Sequence, residues 1–242
     1  MDKKLTIGLL LICTGKYDVF LQRLIDSLDT HFFVGDEVVI HLFWDKPYYC
    51  LRLPARFSVV CIPTPHIPFP FATLYRYKYF TGAADKIQGQ FVFYMDVDML
   101  LVGDVGREIL PEEGHDGLVA AGHPGFWANG GAWCKETHSK AYLEDHHCTR
   151  YVAGGFQGGE TKHYMAACAE MAVNISDDES RGFIATWHDE QHWNRYVAFK
   201  KYKLLTPEYC MIEETEPREK YGIAHFVPRI LALKKNHEEL RK

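Results

Sequence analysis

Apolar and polar positions along this chain fall into blocks that switch between two periods, and the switches mark out alternating strands and helices. Leu5–Cys13 is a nearly unbroken apolar run that leads directly into Thr14-Gly15-Lys16. It predicts a strand buried on both faces. The run is too short to cross a bilayer and lacks the form of a secretory signal. Apolar residues then recur with helical spacing over Asp18–Phe32, and strands are predicted at Glu37–Phe43 and Phe57–Ile62. Four prolines between Pro63 and Pro70 demand an extended loop. Beyond it the pattern predicts a helix over Leu74–Ile87 and buried strands at Phe91–Met95 and Gly117–Ala121. A helix from Gly158 to Met171, entered by a glycine-rich turn, and another over Glu190–Phe199 follow. Such alternation predicts an α/β fold with a mostly parallel central sheet flanked by helices, whose ligands bind beyond the carboxyl ends of the strands.

Composition narrows the class. The 242 residues contain no repeat, low-complexity tract or linker, and their length suits one large domain or two small ones. A hydrophobic share of 47% with 24% charged residues is that of a soluble globular protein. A net charge of -5 argues against a nucleic-acid partner. No segment reaches the length of a membrane span. Seven scattered cysteines, an odd number without a CxxC, fit reduced thiols in a reducing compartment, so a soluble cytoplasmic enzyme is expected.

Candidate chemistry sits at three places. The apolar run Phe91–Met95 ends in Asp96-Val97-Asp98 and is followed by the apolar Met99-Leu100-Leu101-Val102. In extended backbone the two carboxylates point to one side, where they could share a hard cation such as magnesium or manganese on a diphosphate. A pair of aspartates at a strand end is more often a solvated turn, but charges set between apolar runs are costly unless paired or metal-bound. Trp187-His188-Asp189-Glu190-Gln191-His192 opens a predicted helix. Glu190 is the candidate carboxylate for a sugar's anomeric carbon; equally, Asp189 and Glu190 are first-turn acids favoured by the helix dipole. His188 and His192 lack the Glu directly after the first His that the zinc-protease signature requires. Gly154-Gly155 and Gly158-Gly159 permit close backbone approach but do not form G-x-G-x-x-G, and His138, His146, His147 and Cys148 match no zinc spacing and are taken as loop residues.

Taken together these residues resemble glycosyltransferase family 6, which includes the histo-blood-group A and B transferases, the α-1,3-galactosyltransferases and soluble bacterial members. The resemblance runs from Ile7 to Arg241 through Phe-Tyr-Met-Asp-Val-Asp-Met (93–99), His-Pro-Gly-Phe (123–126), Gly-Gly-Phe-Gln-Gly-Gly (154–159), Trp-His-Asp-Glu-Gln-His-Trp-Asn-Arg-Tyr (187–196), Leu-Thr-Pro-Glu-Tyr (205–209) and Lys-Asn-His-Glu-Glu-Leu-Arg (235–241), in family order. It implies one GT-A domain over residues 1–242, with 232–242 a tail closing over the donor diphosphate. It also implies retaining transfer to a galactose-containing acceptor oligosaccharide, fucosylated or not, through an α-1,3 linkage.

By the same resemblance Asp96 and Asp98 hold manganese or magnesium and the UDP-sugar. Glu190 is the carboxylate beneath the anomeric carbon. Arg76 and Asp189 hold the donor sugar, and Ile12, Thr14 and Tyr17 grip uridine. Val97, Ala153, Gly154 and Gly155 also border the donor, Lys235 and Arg241 meet the diphosphate, and His123, Trp187 and Glu190 line the acceptor side. Glycine at 155 leaves room for an N-acetyl group and implies UDP-GalNAc over UDP-Gal. A UDP-Gal transferase and a non-catalytic nucleotide-sugar or glycan binder are the alternatives. The chain departs from the family in having no membrane anchor or stem, and over Gly130–His138, where Trp133, Cys134 and Lys135 replace the usual pattern.

Overall fold

The computed structural model describes residues 3–46 and 51–240. The strands are β1 (Thr6–Cys13), β2 (Glu37–Trp44), β3 (Phe57–Pro63), β4 (Phe91–Met95), β5 (Met99–Leu101), β6 (Leu118–Gly122), β7 (Val152–Glu160), β8 (Tyr202–Leu205), β9 (Met211–Ile212) and β10 (Ile230–Ala232). The helices are α1 (Asp18–His31), α2 (Phe71–Leu74), α3 (Arg76–Gly82), α4 (Thr161–Ser180), α5 (His188–Val197), α6 (Glu216–Lys220) and α7 (His237–Leu240). A seven-stranded sheet runs in the order β3-β2-β1-β4-β7-β6-β8, beside a three-stranded sheet β5-β10-β9. All neighbours in the large sheet are parallel except β7, which is antiparallel to β4 and β6. This is the mixed α/β architecture expected of GT-A.

Strand alternation divides the core. On β1, Ile7, Leu9 and Leu11 face one buried cluster with α1, while Leu10 faces the other; on β4, Phe93 and Met95 join the first and Val92 and Tyr94 the second. The second cluster takes Tyr77 and Phe80 from α3, Tyr164, Cys168 and Met171 from α4, and Trp193 from α5. Both faces of the sheet are therefore covered, which is why its central strands read as continuous apolar runs. Among the described residues no helix is long and apolar enough to cross a membrane. The described cysteines are free thiols, and Cys50 lies outside the described residues.

Two sequence expectations are corrected. The glycine run is not a turn but strand β7, and the helix after it begins at Thr161. The reason is packing: a Cβ on Gly158 would come within 2.3 Å of the Val92 carbonyl oxygen and 2.6 Å of the Phe93 ring. Glycine lets β7 press against β4, and its low strand propensity hides the strand from pattern reading. The helix expected over Leu74–Ile87 is instead α2, α3 and a 3-10 turn at Ala84–Lys86, with a break at Tyr75.

Candidate active site

Because β7 runs against its neighbours, its first residues lie at the carboxyl ends of β1 and β4, where Met95 pairs with Phe156. The loops after β1 and β4, the start of β7 and the N-terminus of α5 meet there around a cavity of about 540 Å³. Asp96 and Asp98 stand on its wall. The backbone does not stay extended: Met99 N donates to Asp96 O at 3.2 Å, so the segment is a turn. Val97 is buried in the core, and both carboxylates still line the cavity.

Arg76, 4% exposed, ties the wall together. Nη1 donates to Gly154 O at 2.7 Å, Nη2 reaches Asp96 Oδ1 at 3.4 Å, and Nε meets Asp189 Oδ2 at 2.9 Å as an ion pair. Its guanidinium carbon sits 4.3 Å over the Tyr94 ring, and the Tyr94 hydroxyl donates to Asp96. Burial pushes the Asp189 carboxyl up to about 7, and the Arg76 charge opposes that shift. With Oδ2 taken by Arg76, the buried Asp189 Oδ1 has no hydrogen bond among the described residues, so one acceptor remains there for a hydroxyl group of a ligand.

Asp98 is 4% exposed, and its Oδ2 is met by the Lys235 ammonium. Lys235 also lies 5.6 Å from the Tyr17 ring centroid. The tail is held there by Leu233 N, which donates to Asp98 O at 3.0 Å, and by Lys16 Nζ, which donates to Glu239 O at 3.1 Å. Among the described residues no group of three or more His, Cys, Asp or Glu side chains converges to cage a metal. A carboxylate pair that already draws a cation fits a hard divalent ion whose remaining ligands come from a bound diphosphate.

At α5, His188 takes the left-handed conformation with φ 49°, the Trp187 side chain is 55% exposed, and Asp189 and Glu190 line the cavity. Glu190 accepts from Tyr151 Oη and from Gly154 N, both at 2.8 Å. His188 packs against Phe69, while His192 lies 3.7 Å from Asp178, so the two histidines serve different neighbours.

The sequence model of glycosyltransferase family 6 matches residues 1–242. The chain belongs to this family. It is 30% identical over 251 residues to the rat histo-blood group ABO system transferase 1, covering 98% of this chain and 68% of that protein. It is 28% identical to the chicken globoside alpha-1,3-N-acetylgalactosaminyltransferase 1, covering 100% of this chain and 71% of that protein. To the O-antigen biosynthesis glycosyltransferase WbnI of Escherichia coli it is 24% identical over 90% of each chain.

In this glycosyltransferase the cavity gathers Ile12, Thr14, Tyr17, Arg76, Asp96, Val97, Asp98, Gly154, Gly155, Trp187, Asp189, Glu190 and Lys235. Ala153 is instead buried in the core, and His123 lies off the cavity, its Nδ1 accepting from Gly125 N at 3.1 Å. Burial pushes the His123 ring below its usual range, with Glu190 acting the other way. Arg241 lies outside the described residues. Sequence reasoning missed His66, Ile67 and Phe69, which the proline-rich loop brings to the cavity, and Tyr94 and Tyr151. The strand pattern marks Tyr94 as core, and nothing local marks Tyr151, since its partner is on another element.

Proposed function

We propose that this glycosyltransferase moves GalNAc from UDP-GalNAc to a galactose-containing oligosaccharide, with retained configuration and an α-1,3 linkage, in a manganese-dependent reaction. One observation carries the reading: a single cavity places the Asp96 and Asp98 carboxylates, the Arg76–Asp189 pair and the Glu190 carboxylate together at the carboxyl edge of the sheet. Asp96 and Asp98 would hold the cation, which when bound offsets charge on the departing UDP. Arg76 and the Asp189 carboxylate it holds orient the donor sugar. Glu190 faces the anomeric carbon and stabilises positive charge there or bonds to it. Ile12, Thr14 and Tyr17 border the base, His123 and Trp187 the acceptor. Lys235, with the tail of residues 232–242, moves from Asp98 to the diphosphate and excludes water.

Glycine at 155 supports GalNAc, since any side chain there intrudes on the wall. A Cβ would lie 2.5 Å from Met99 Cε and 2.9 Å from Asp96 Oδ2, so seating Asp96 is a second reason for glycine, and UDP-Gal is the alternative donor. Transfer and hydrolysis assays with radiolabelled UDP-GalNAc and UDP-Gal, with manganese or with EDTA, test the reading. Transfer of GalNAc only with manganese is expected; full activity in EDTA would remove the metal role. Glu190→Gln is expected to lower turnover about a thousandfold, and a near-normal rate takes it out of the chemistry.

A further inference from the structure

Glu190 reaches the cavity on a side chain with three rotatable bonds, yet its carboxylate is held at both oxygens. Gly154 N donates to Oε2, a contact any residue at 154 could make from its backbone. Tyr151 Oη donates to Oε1 at 2.8 Å, and the phenol has no other hydrogen bond among the described residues. Tyr151 is 0% exposed, and its ring cannot easily turn away. Phe126, Trp133 and His123 meet it edge-on, with centroids at 5.1, 5.6 and 5.6 Å. The phenol is therefore fixed by packing before any donor arrives, and its one polar group points at the carboxylate.

We infer that Tyr151 is a positioning residue for the transfer reaction: its hydroxyl locks the Glu190 carboxylate toward the anomeric carbon. The inference rests on the proposed role of Glu190. A preorganised carboxylate costs no reorientation as charge develops on the sugar, whereas a carboxylate held by one amide alone samples other rotamers. Burial, with Glu190 beside it, pushes the phenol above its usual range, so it remains a donor across the range in which the enzyme works. Phe126 and Trp133 matter here through the ring they hold.

Tyr151→Phe removes the hydroxyl and keeps the ring. The expected result is a fall in kcat of about 10- to 100-fold, the scale of one hydrogen bond to a charged group. Donor and acceptor KM should stay within about twofold, as should UDP affinity by calorimetry, with the melting temperature lowered by several degrees as the buried bond is lost. An unchanged kcat overturns the inference. A fall in which KM or UDP affinity moves with kcat also overturns it, because that is a packing role. The Glu190 reading fails separately, through near-normal turnover in Glu190→Gln.

Discussion

At the scale of single residues, charges and small side chains are fixed by what surrounds them. Gly155 is the sharpest case. A methyl there displaces Met99 Cε, the far end of a flexible side chain, and crowds Asp96. Gly155→Ala is expected to shift the kcat/KM ratio toward UDP-Gal by about tenfold, the usual worth of a methyl in a pocket, and to raise the manganese needed for half-maximal rate. His41 shows the same logic in the core. It is 0% exposed, its Nε2 accepts from Gln88 N at 2.9 Å, and burial lowers its ring to about 4. The unfolded chain takes up a proton below about pH 6.5 that the folded protein refuses until near 4, so this contribution falls as pH drops through that window. His192 is lowered to about 4 by burial in the same way, so in urea unfolding at pH 7 and 5 the His41→Gln variant should lose about 2 kcal/mol less than the wild type, with the His192 share remaining. Equal pH dependence in the variant would locate the effect elsewhere.

At the scale of elements, β7 and α5 carry the site between them. β7 supplies Gly154 and Gly155, Tyr151 directly precedes it, and Asn194 of α5 clasps the strand by donating to Val152 O at 2.8 Å and accepting from Val152 N at 2.9 Å. Gln191 ties the start of α5 to the segment before β7, donating to Ala132 O at 2.5 Å and accepting from Trp187 N at 3.2 Å. Gly158 lets β7 lie close against β4. Gly158→Ala should destabilise the fold by about 3 kcal/mol in urea titrations, because the clash is with backbone that cannot step aside. A loss below 0.5 kcal/mol would mean the strands separate freely.

At the scale of the molecule, the large sheet, the N-terminus of α5 and the tail meet over one cavity, and ligand binding should couple them. Manganese and UDP together are expected to raise the melting temperature, each alone far less, since a ligand specific for the folded state stabilises by mass action. An equal rise from UDP in EDTA would show that Asp96 and Asp98 share no cation with the donor. Removing residues 236–242, which spares the Lys235–Asp98 pair, should leave the melting temperature within about 3 °C, because those described up to Leu240 are largely exposed, while transfer falls at least tenfold.

Much of this architecture is written locally. The runs at Thr6–Cys13, Glu37–Trp44 and Phe91–Met95 are apolar because their strands are buried on both faces; Asp96-Val97-Asp98 stands out because charge between apolar runs demands a partner, while Trp187–Gln191 stands out only as a polar block that equally suits a helix start. Local pattern could not reveal that the glycine run is a central strand, since Gly158 answers to β4 and Gly159 to the start of β6 across the sheet rather than to their own neighbours. Nor could it pair Arg76 with Asp189, Lys235 with Asp98 or Tyr151 with Glu190, contacts that join distant parts of the chain. Burial periodicity is a property of each segment, while the partners of a charge are chosen by topology.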